Sequence, residues 1–238
     1  MDNAGYVSLT RQSGLLREMQ IVANNIANIS TTGFRKEGLL FSEHVVELEN
    51  GDPSLSMASA NVRATQQIQG ALSETNSRFD FAIEGPGFFL IETPNGDHLT
   101  RAGSFTPNQD GELSTPDGYR LLDNGGAPIF IPPDASDINI SVDGTVSASG
   151  RPLAQIGLYM PIDSTDLSRR DGVRFAADGG VEPVEGGIIL QGYLENSNVN
   201  AVAEIARMIE VQHAYELGQK LLDKEDERIR AVLQTLGR

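Results

Sequence analysis

Cysteine and tryptophan are absent from the 238-residue chain, and histidine occurs three times. Without cysteine no disulfide framework can form, so the sequence excludes neither a reducing nor an oxidising compartment. The three histidines, His44, His98 and His213, lie far apart in the sequence and show no metal-binding spacing. We therefore expect no metal site and no cofactor.

Signals for membranes and for secretion are also missing. No segment approaches the ~18–20 consecutive apolar residues of a membrane span. The opening MDNAGYVSLT lacks the basic start and the apolar run of a cleaved signal peptide. We expect no stable membrane insertion, and either a cytoplasmic location or export by a route that reads another signal.

The common catalytic patterns are absent as well. The chain has no G-x-S-x-G, no Walker A pattern and no dinucleotide-binding glycine pattern. The stretch TPNQDGEL at 106–113 is faintly similar to a calcium loop but lacks its first acidic ligand and its distal glutamate, which favours a hairpin turn. The sequence therefore predicts no catalytic residue, no small-molecule substrate and no enzyme activity.

The formal charge of −15 is concentrated in the middle of the chain. Residues 1–40 have a formal charge of +1 and residues 196–238 a charge of −1, whereas residues 41–195 hold eight basic and 23 acidic residues. An acidic middle argues against nucleic acid or an anionic membrane as a partner. The nearly neutral ends suggest segments that bind a partner of another kind.

The N-terminal end has the periodicity of a coiled-coil-like helix. Its apolar residues step by four and three, which is the spacing of a heptad seam. These residues are Leu15, Met19, Val22, Ile26 and Ile29.

Three asparagines accompany that seam, although asparagine is a mediocre helix former. On a helical wheel Asn24, Asn25 and Asn28 occupy an arc beside and behind the seam. We expect them to lie away from the nearest helical partner and to make polar contacts with other subunits. Gly33 is expected at or just past the end of the helix.

The C-terminal end predicts a second and longer helix over about 200–236. Asn198 or Asn200 is expected to cap it, and Glu204 suits the positive end of the helix dipole. Val202 and Ile205 carry the apolar stripe back towards its start, and only Gly218 weakens the helix. Seven of the nine stripe positions are apolar, and the other two are Gly218 and Glu225. The nine positions are Met208, Val211, Tyr215, Gly218, Leu222, Glu225, Ile229, Val232 and Leu236.

Closely spaced turn signals fill the middle of the chain, including NGD at 95–97 and DG at 110–111, 117–118 and 143–144. Short apolar runs such as FDFAIE and GFFLIET lie between them, which indicates antiparallel strands. The predicted fold class is α+β: a mainly antiparallel β central domain, barrel-like or sandwich-like, with terminal helices that form a coiled-coil-like assembly domain. The predicted segments are an N-terminal helix (1–37), an extended arm or linker (38–75), the acidic β domain (76–195) and a C-terminal helix (196–238).

Isolated amphipathic helices are marginal in water and need a partner surface. The two ends could pair with each other, but the second predicted helix is longer and part of its seam would stay uncovered. We expect the ends to be partly disordered in a free monomer and to fold together on assembly.

Three blocks of the sequence resemble the flagellar rod and hook protein family, the axial proteins of the bacterial flagellum. ANNIANISTTGFR (23–35) resembles its N-terminal signature, and FAIEGPGFFLIETPNGDHLTRAGSFTPNQDGEL (81–113) resembles the entry of its β domain. QGYLENSNVNAVAEIARMIEVQHAYE (191–216) resembles its C-terminal signature. The blocks occur in the family's order and span most of the chain.

The resemblance implies a structural subunit of the basal body that is exported unfolded through the flagellar type III apparatus, without signal cleavage, into the periplasm-spanning rod. Its partners would be other rod proteins, copies of itself and the export apparatus, and the terminal helices would bundle into the axial tube that transmits torque. The opening is more similar to proximal-rod members than to distal-rod or hook members.

The expected assembly interface combines the two seams with the signature residues around them: Leu15, Met19, Val22, Asn24, Asn25, Ile26, Asn28, Ile29, Gly33, Phe34, Asn196, Ser197, Asn198, Val199, Val202, Ile205, Met208, Val211, Tyr215 and Leu222. Two alternatives remain open at this point. One is a distal-rod or hook-type axial protein, and the other is a monomeric secreted binding module whose terminal helices pair internally.

Overall fold

The computed structural model describes residues 3–46, 55–135, 137–184 and 186–236. The chain divides into two compact units. Unit 1 consists of Met1–Ala27, Glu37–Gln66 and Asn200–Arg238, and unit 2 consists of Asn28–Lys36 and Gln67–Val199. Each unit is therefore built from segments that are distant in sequence.

Unit 1 contains two helices and a β-hairpin. Helix α1 spans Asn3–Ala27 and helix α2 spans Ala201–Leu236. Strands β1 (Glu37–Val46) and β2 (Leu55–Thr65) pair antiparallel, and α1 packs against both the hairpin and α2. The two terminal helices are confirmed.

The segment predicted as an extended arm or linker is more regular than the sequence indicates. Most of residues 38–75 lie in β1 and β2, and residues 47–54 of the predicted arm lie outside the described residues. Its Ser/Ala-rich composition gave a weak strand signal, but antiparallel pairing of its two halves satisfies the backbone hydrogen bonds.

The end of α1 differs from the prediction. The helix ends at Ala27, six residues before Gly33. Gly33 has φ of +70°, and a Cβ built on it would lie 2.2 Å from the backbone nitrogen of Ala102. This glycine therefore permits a close approach of two backbones within unit 2 and does not cap the helix.

The start of α2 agrees with one of the two predicted caps. The Asn200 side-chain oxygen accepts a hydrogen bond from the Ala203 backbone N–H at 3.1 Å, which satisfies a free donor of the first turn. The Asn198 side chain instead contacts Lys36 and Ile68.

Unit 2 contains sixteen short strands within the described residues, all paired antiparallel where they pair. They are β3 (Leu72–Glu74), β4 (Phe81–Glu84), β5 (Phe88–Thr93), β6 (Gly96–Thr100), β7 (Thr106–Pro107), β8 (Leu113–Ser114), β9 (Arg120–Leu121), β10 (Ile138–Ile140), β11 (Thr145–Ala148), β12 (Arg151–Gln155), β13 (Leu158–Pro161), β14 (Leu167–Asp171), β15 (Arg174–Ala177), β16 (Val181–Pro183), β17 (Ile188–Gln191) and β18 (Tyr193–Glu195). A single 3₁₀ turn spans Ser164–Asp166.

The strands form several open sheets. The largest has the path β14-β15-β6-β5-β9-β8-β7, with β13 joined to β5 and β16 joined to β13. The strands β10, β11 and β12 form a second sheet, and β4 pairs with β17 while β3 pairs with β18. The antiparallel β domain is confirmed. The barrel-like option is wrong for the described residues, because these sheets do not close on themselves.

Strand β5 is the centre of the hydrophobic core. Its run FFLI is apolar at every position, which is typical of a strand buried on both faces. Phe89 and Ile91 belong to the larger core cluster, and Phe89 meets the ring of Phe105 edge-on at 5.5 Å between centroids. Phe88 and Leu90 point into a second cluster around Phe175.

Alanine substitution distinguishes the roles of Gly33 and Gly218. Gly33→Ala should lower the free energy of unfolding by at least about 2 kcal/mol, because a Cβ there meets backbone and needs a positive φ. Gly218→Ala should raise stability by up to ~1 kcal/mol, because its Cβ meets only the terminal amide of Gln12, at 3.0 Å, while alanine favours the helix. Urea unfolding followed by circular dichroism measures both. A Gly33→Ala variant as stable as the parent would show that the close approach is not required.

Candidate assembly interface

Helices α1 and α2 pack against each other within one chain. Most of the buried and half-buried positions of α2 step by four and three residues, and we call these the α2 seam: Glu204, Met208, Val211, Tyr215, Gly218, Leu222 and Glu225. From Met208 onwards these are the positions that the sequence periodicity predicts.

The buried face of α1 is displaced from its predicted seam. Ile21 and Val22 are buried, whereas Leu15, Met19 and Ile26 are half-buried. Three polar residues are buried there as well: Gln12, Glu18 and Asn25. Ile29, which the prediction placed on the helix, lies beyond its end and is half-buried.

Asn25 is fully buried in unit 1 and contacts α2, contrary to the expectation that it lies away from the nearest helical partner. Its amide nitrogen donates to the Glu37 backbone oxygen at 2.9 Å and to the Glu204 carboxylate at 3.0 Å. Its amide oxygen accepts from the Glu37 backbone N–H at 3.0 Å. One side chain thus joins α1 to the first residue of β1 and to the first turn of α2.

The other two helix-end asparagines lie elsewhere. Asn24 is exposed on α1. Asn28 is the first residue of unit 2 and forms a local turn, because its backbone oxygen accepts from the Thr31 N–H at 3.2 Å and its side-chain oxygen accepts from the Thr31 hydroxyl at 3.1 Å.

A second polar contact between the helices joins Glu18 and Arg207. The Arg207 Nε donates to Glu18 Oε1 at 2.6 Å, and this hydrogen bond is the main cause that raises the pKa of Arg207. Glu18 is buried, whereas the arginine is partly exposed and also pairs with Glu210 at 2.8 Å. Solvent screening limits what such a pair adds to stability, so its main effect is to favour one register.

Both helices carry apolar side chains that the chain itself leaves uncovered. Val202, Ile205 and Ile209 step by three and four on α2 and are between 49% and 78% exposed. Leu9 and Leu16, seven residues apart, are exposed on α1. Val202 and Ile205, which the sequence places in the expected assembly interface, are thus exposed in the single chain.

The far end of α2 is uncovered as well. Ile229 and Val232 continue the 4-3 spacing of the α2 seam but are each about half exposed (51%). The reason is length: α2 has 36 residues and α1 has 25, which correspond to roughly 54 and 38 Å at 1.5 Å per residue. This agrees with the expected excess of the longer seam.

In unit 2 a buried carboxylate joins segments from both ends of the chain and from the middle. Glu195 Oε1 pairs with the Arg35 guanidinium at 2.8 Å, and Glu195 Oε2 pairs with the Arg101 guanidinium at 2.9 Å. All three side chains are at most 4% exposed. We call these residues the Arg–Glu–Arg triad; no pattern in the sequence pointed to any of them as a site residue.

Backbone groups complete the coordination of the triad. Arg35 donates to the Gln67 oxygen at 2.6 Å, Arg101 donates to the Gly85 oxygen at 2.6 Å, and Glu195 accepts from the Gly70 N–H at 3.1 Å. Burial lowers the pKa of Arg101 to about 10, although Glu195 opposes the shift. Burial also lowers the pKa of Arg35, again against the effect of Glu195.

Asn198 fixes two neighbouring segments at the same place. Its side-chain oxygen accepts from the Lys36 N–H at 2.6 Å, and its amide donates to the Ile68 oxygen at 2.8 Å. Phe34 is fully buried, with the Arg169 guanidinium 4.4 Å from its ring centroid.

The rest of the C-terminal signature makes local contacts. The Asn196 side-chain oxygen accepts from the Ser73 hydroxyl at 3.3 Å, and the Ser197 hydroxyl accepts from the Val199 N–H at 3.3 Å. Asn196, Ser197, Asn198, Gly33 and Phe34 therefore have contacts inside unit 2, while Val199 is half-buried.

Three family profiles match separate parts of the chain. The profile described as "Flagella basal body rod protein" matches residues 6–35. The profile "Flagellar hook protein FlgE/F/G D1 domain" matches residues 82–148, and "Flagellar basal body rod FlgEFG protein C-terminal" matches residues 190–235.

Curated relatives match over the full length. The flagellar basal-body rod protein FlgF of Caulobacter vibrioides is 39% identical, over 100% of this chain and 99% of the relative. The FlgF protein of Mesorhizobium japonicum is 36% identical with the same coverage, and the FlgG protein of Buchnera aphidicola subsp. Schizaphis graminum is 31% identical over 96% of this chain and 98% of the relative. The chain belongs to the flagellar basal-body rod protein family.

All three residues of the Arg–Glu–Arg triad lie in parts of the chain that match the rod family. Arg35, Arg101 and Glu195 lie in three different matched segments. The three segments that resemble the family in sequence are thus brought together by one buried group of charges in this rod-family chain.

The described part of this rod-family chain holds no group of three or more histidine, aspartate or glutamate side chains placed to bind a metal ion. The Asn108 oxygen of the faint calcium-like loop accepts backbone N–H groups of Asp110 and Glu112, each at 2.9 Å, as in a hairpin turn. No described helix has both the length and the apolar character to cross a membrane.

A polar cleft of about 640 Å³ in unit 2 is lined in part by His98, Tyr119, Arg170 and Arg174. Burial is the main cause that lowers the pKa of His98, which favours its neutral form. Arg170 pairs with Asp178, and Arg174 pairs with Asp171. The positive charges of the cleft are therefore neutralised within it.

Alanine substitution of Asn25 and Asn24 separates the buried asparagine from its exposed neighbour. Asn25→Ala removes three hydrogen bonds, one of them to a buried carboxylate, and should lower the free energy of unfolding by about 2–4 kcal/mol. Asn24→Ala gains the same helix propensity at an exposed position, where solvent replaces the contacts that the side chain loses, and should change stability by less than about 1 kcal/mol. Urea unfolding of the full chain measures both. Equal stabilities of the two variants would contradict the assigned role of Asn25.

Proposed function

We propose that this chain is a structural subunit of the flagellar rod, and that it assembles with copies of itself and with other rod proteins through the faces that α1 and α2 leave exposed. The observation that carries the proposal is the row Val202, Ile205 and Ile209, exposed at helical spacing on α2 in a chain of this family. Burying each such side chain contributes ~1.5–3 kcal/mol, so a row repeated in every subunit supports stable association.

The charge distribution along α2 supports the same face. The first ten residues of α2 contain three charged side chains, of which Glu204 is already buried. Covering this part of the helix removes few charges from water, which keeps the desolvation cost of association low. The acidic residues 41–195 would then face outwards in the rod, where their mutual repulsion is screened by solvent.

The proposed position is the proximal rod. The relatives named FlgF align with the chain over 240–245 residues, whereas the FlgG relative of Buchnera needs 258 aligned positions for a chain of 238 residues. In that position the subunit would reach the periplasm through the flagellar export apparatus, keep its N-terminus, and form part of the tube that transmits torque.

The pairing of α1 with α2 inside one chain is what the alternative, a monomeric binding module, also requires. Limited proteolysis of the free monomer tests whether that pairing is stable without a partner. Rapid cleavage within α1 and α2 supports folding coupled to assembly, whereas complete protection of both helices supports the monomeric module.

Imaging of basal bodies tests the rod assignment itself. A strain that lacks this chain should build basal bodies without a complete rod and should not swim. Intact rods in that strain would refute the proposal.

Substitutions on the exposed face of α2 test the interface. Ile205→Ser combined with Ile209→Ser should leave the thermal unfolding temperature of the monomer within about 2–4 °C, because both side chains are about half exposed. The same variant should reduce swimming and rod incorporation at least about tenfold. The matched control is Leu217→Ser with Leu221→Ser, two exposed leucines on another side of the same helix, which should leave rod incorporation within about twofold of the parent. Normal rod incorporation of the isoleucine variant would show that this face is not the interface.

A further inference from the structure

The Arg–Glu–Arg triad combines three residues that are remote in sequence and buried in the fold. Arg101 and Glu195 are 94 residues apart, and Arg35 is 66 residues before Arg101. The triad holds two guanidinium charges against one carboxylate, so it has a net positive charge inside unit 2. A buried charge is tolerated only when it is paired and hydrogen-bonded.

The two arginines depend on Glu195 for that compensation. The two arginines also donate hydrogen bonds to neutral carbonyl oxygens, such as that of Gln67 for Arg35 and that of Gly85 for Arg101. The Nε atoms of both arginines are buried and have no hydrogen-bond partner among the described residues. Without the carboxylate, closing this part of unit 2 would bury two like charges beside each other.

Hydrogen bonds of the backbone next to the triad join the segments that carry Arg35 and Glu195. The Gly33 N–H donates to the Glu195 backbone oxygen at 2.7 Å, and Asn198 accepts from the Lys36 N–H. The segment 31–36 is thus held by the segment 195–198. Arg169 adds a contact to Phe34 from β14, but it supplies no negative charge.

We propose that the Arg–Glu–Arg triad controls a late folding step. In this step segments 31–36 and 195–198 dock together onto the rest of unit 2, and their docking requires Glu195. The sheet around β5 contains hairpins that are local in sequence, β5–β6 and β14–β15, and its longer-range pairings, β13–β5 and β15–β6, join residues about 70–75 apart. Their formation costs less loop-closure entropy than bringing residues 35 and 195 together.

One consequence concerns incomplete chains. A chain emerges from the ribosome N-terminus first, so Arg35 and Arg101 are present long before Glu195. Until residue 195 has emerged, burying both arginines is unfavourable, and the segment that follows α1 stays undocked. This folding step takes place within one chain and does not depend on the proposed assembly.

The test is the folding kinetics of full-length Glu195→Gln, which keeps the shape of the side chain and removes its charge. The unfolding rate should rise at least about tenfold while the refolding rate changes less than about twofold, which gives a φ-value below about 0.3. The matched control is Glu92→Gln, whose partner Arg120 and whose own side chain are both 40% exposed. Both of its rates should stay within about twofold of the parent.

Hydrogen exchange supplies a second readout in the same protein. The amides of Gly33 and Phe34 should exchange at least about tenfold faster in Glu195→Gln than in the parent, with a smaller change in β5. A φ-value above about 0.3, or unchanged exchange at residues 33 and 34, would overturn the proposal. If Glu195→Gln does not fold, Arg101→Lys, which keeps the charge but loses the planar fork, is measured by the same two criteria.

Discussion

The buried ion pairs of Glu195 with Arg35 and Arg101 set the geometry of unit 2, because charges removed from water must keep their partners within hydrogen-bonding distance. Segments that carry those partners must then run very close together. A Cβ on Gly33 would lie 2.2 Å from the Ala102 backbone, and a Cβ on Gly70 would lie 1.9 Å from the Asn196 backbone oxygen. Glycine at these two positions leaves room for the close approach of the segments that carry the triad.

Unit 1 is organised by polar contacts of a different kind. The polar residues Gln12, Glu18, Asn25 and Glu204 are buried in α1 and α2, together with apolar residues such as Val22 and Val211. A seam made only of leucine tolerates sliding, whereas a buried asparagine bonded to two fixed partners favours one register. Asn25 contacts β1 as well as α2, so it also determines where the hairpin begins.

The sequence predicts the periodic features of this fold and misses the long-range ones. The 4-3 spacing identifies the α2 seam from Met208 to Glu225, and the short apolar runs between turn signals indicate the antiparallel strands of unit 2. The position of Asn25 is misjudged because a helical wheel assumes one partner, while α1 packs against α2 and the β-hairpin at the same time. Glu195 carries no local signal, because its two partners are 94 and 160 residues away. The only hint is that Arg35, Arg101 and Glu195 each lie in one of the three signature-like blocks.

The distribution of polar and apolar groups on the helices bears on the proposed assembly. The contact inside the chain contains most of the buried polar groups of α1 and α2, and the apolar side chains at the start of α2 face outwards. The second half of α2 differs, since residues 220–230 include eight charged side chains, among them the pairs Arg228–Glu225 and Arg230–Asp226. Covering that half would desolvate charges that already have partners on the same helix. In the proposed rod the close apolar contact therefore belongs to the first half of α2, while Ile229 and Val232 extend a seam whose charged flanks remain hydrated.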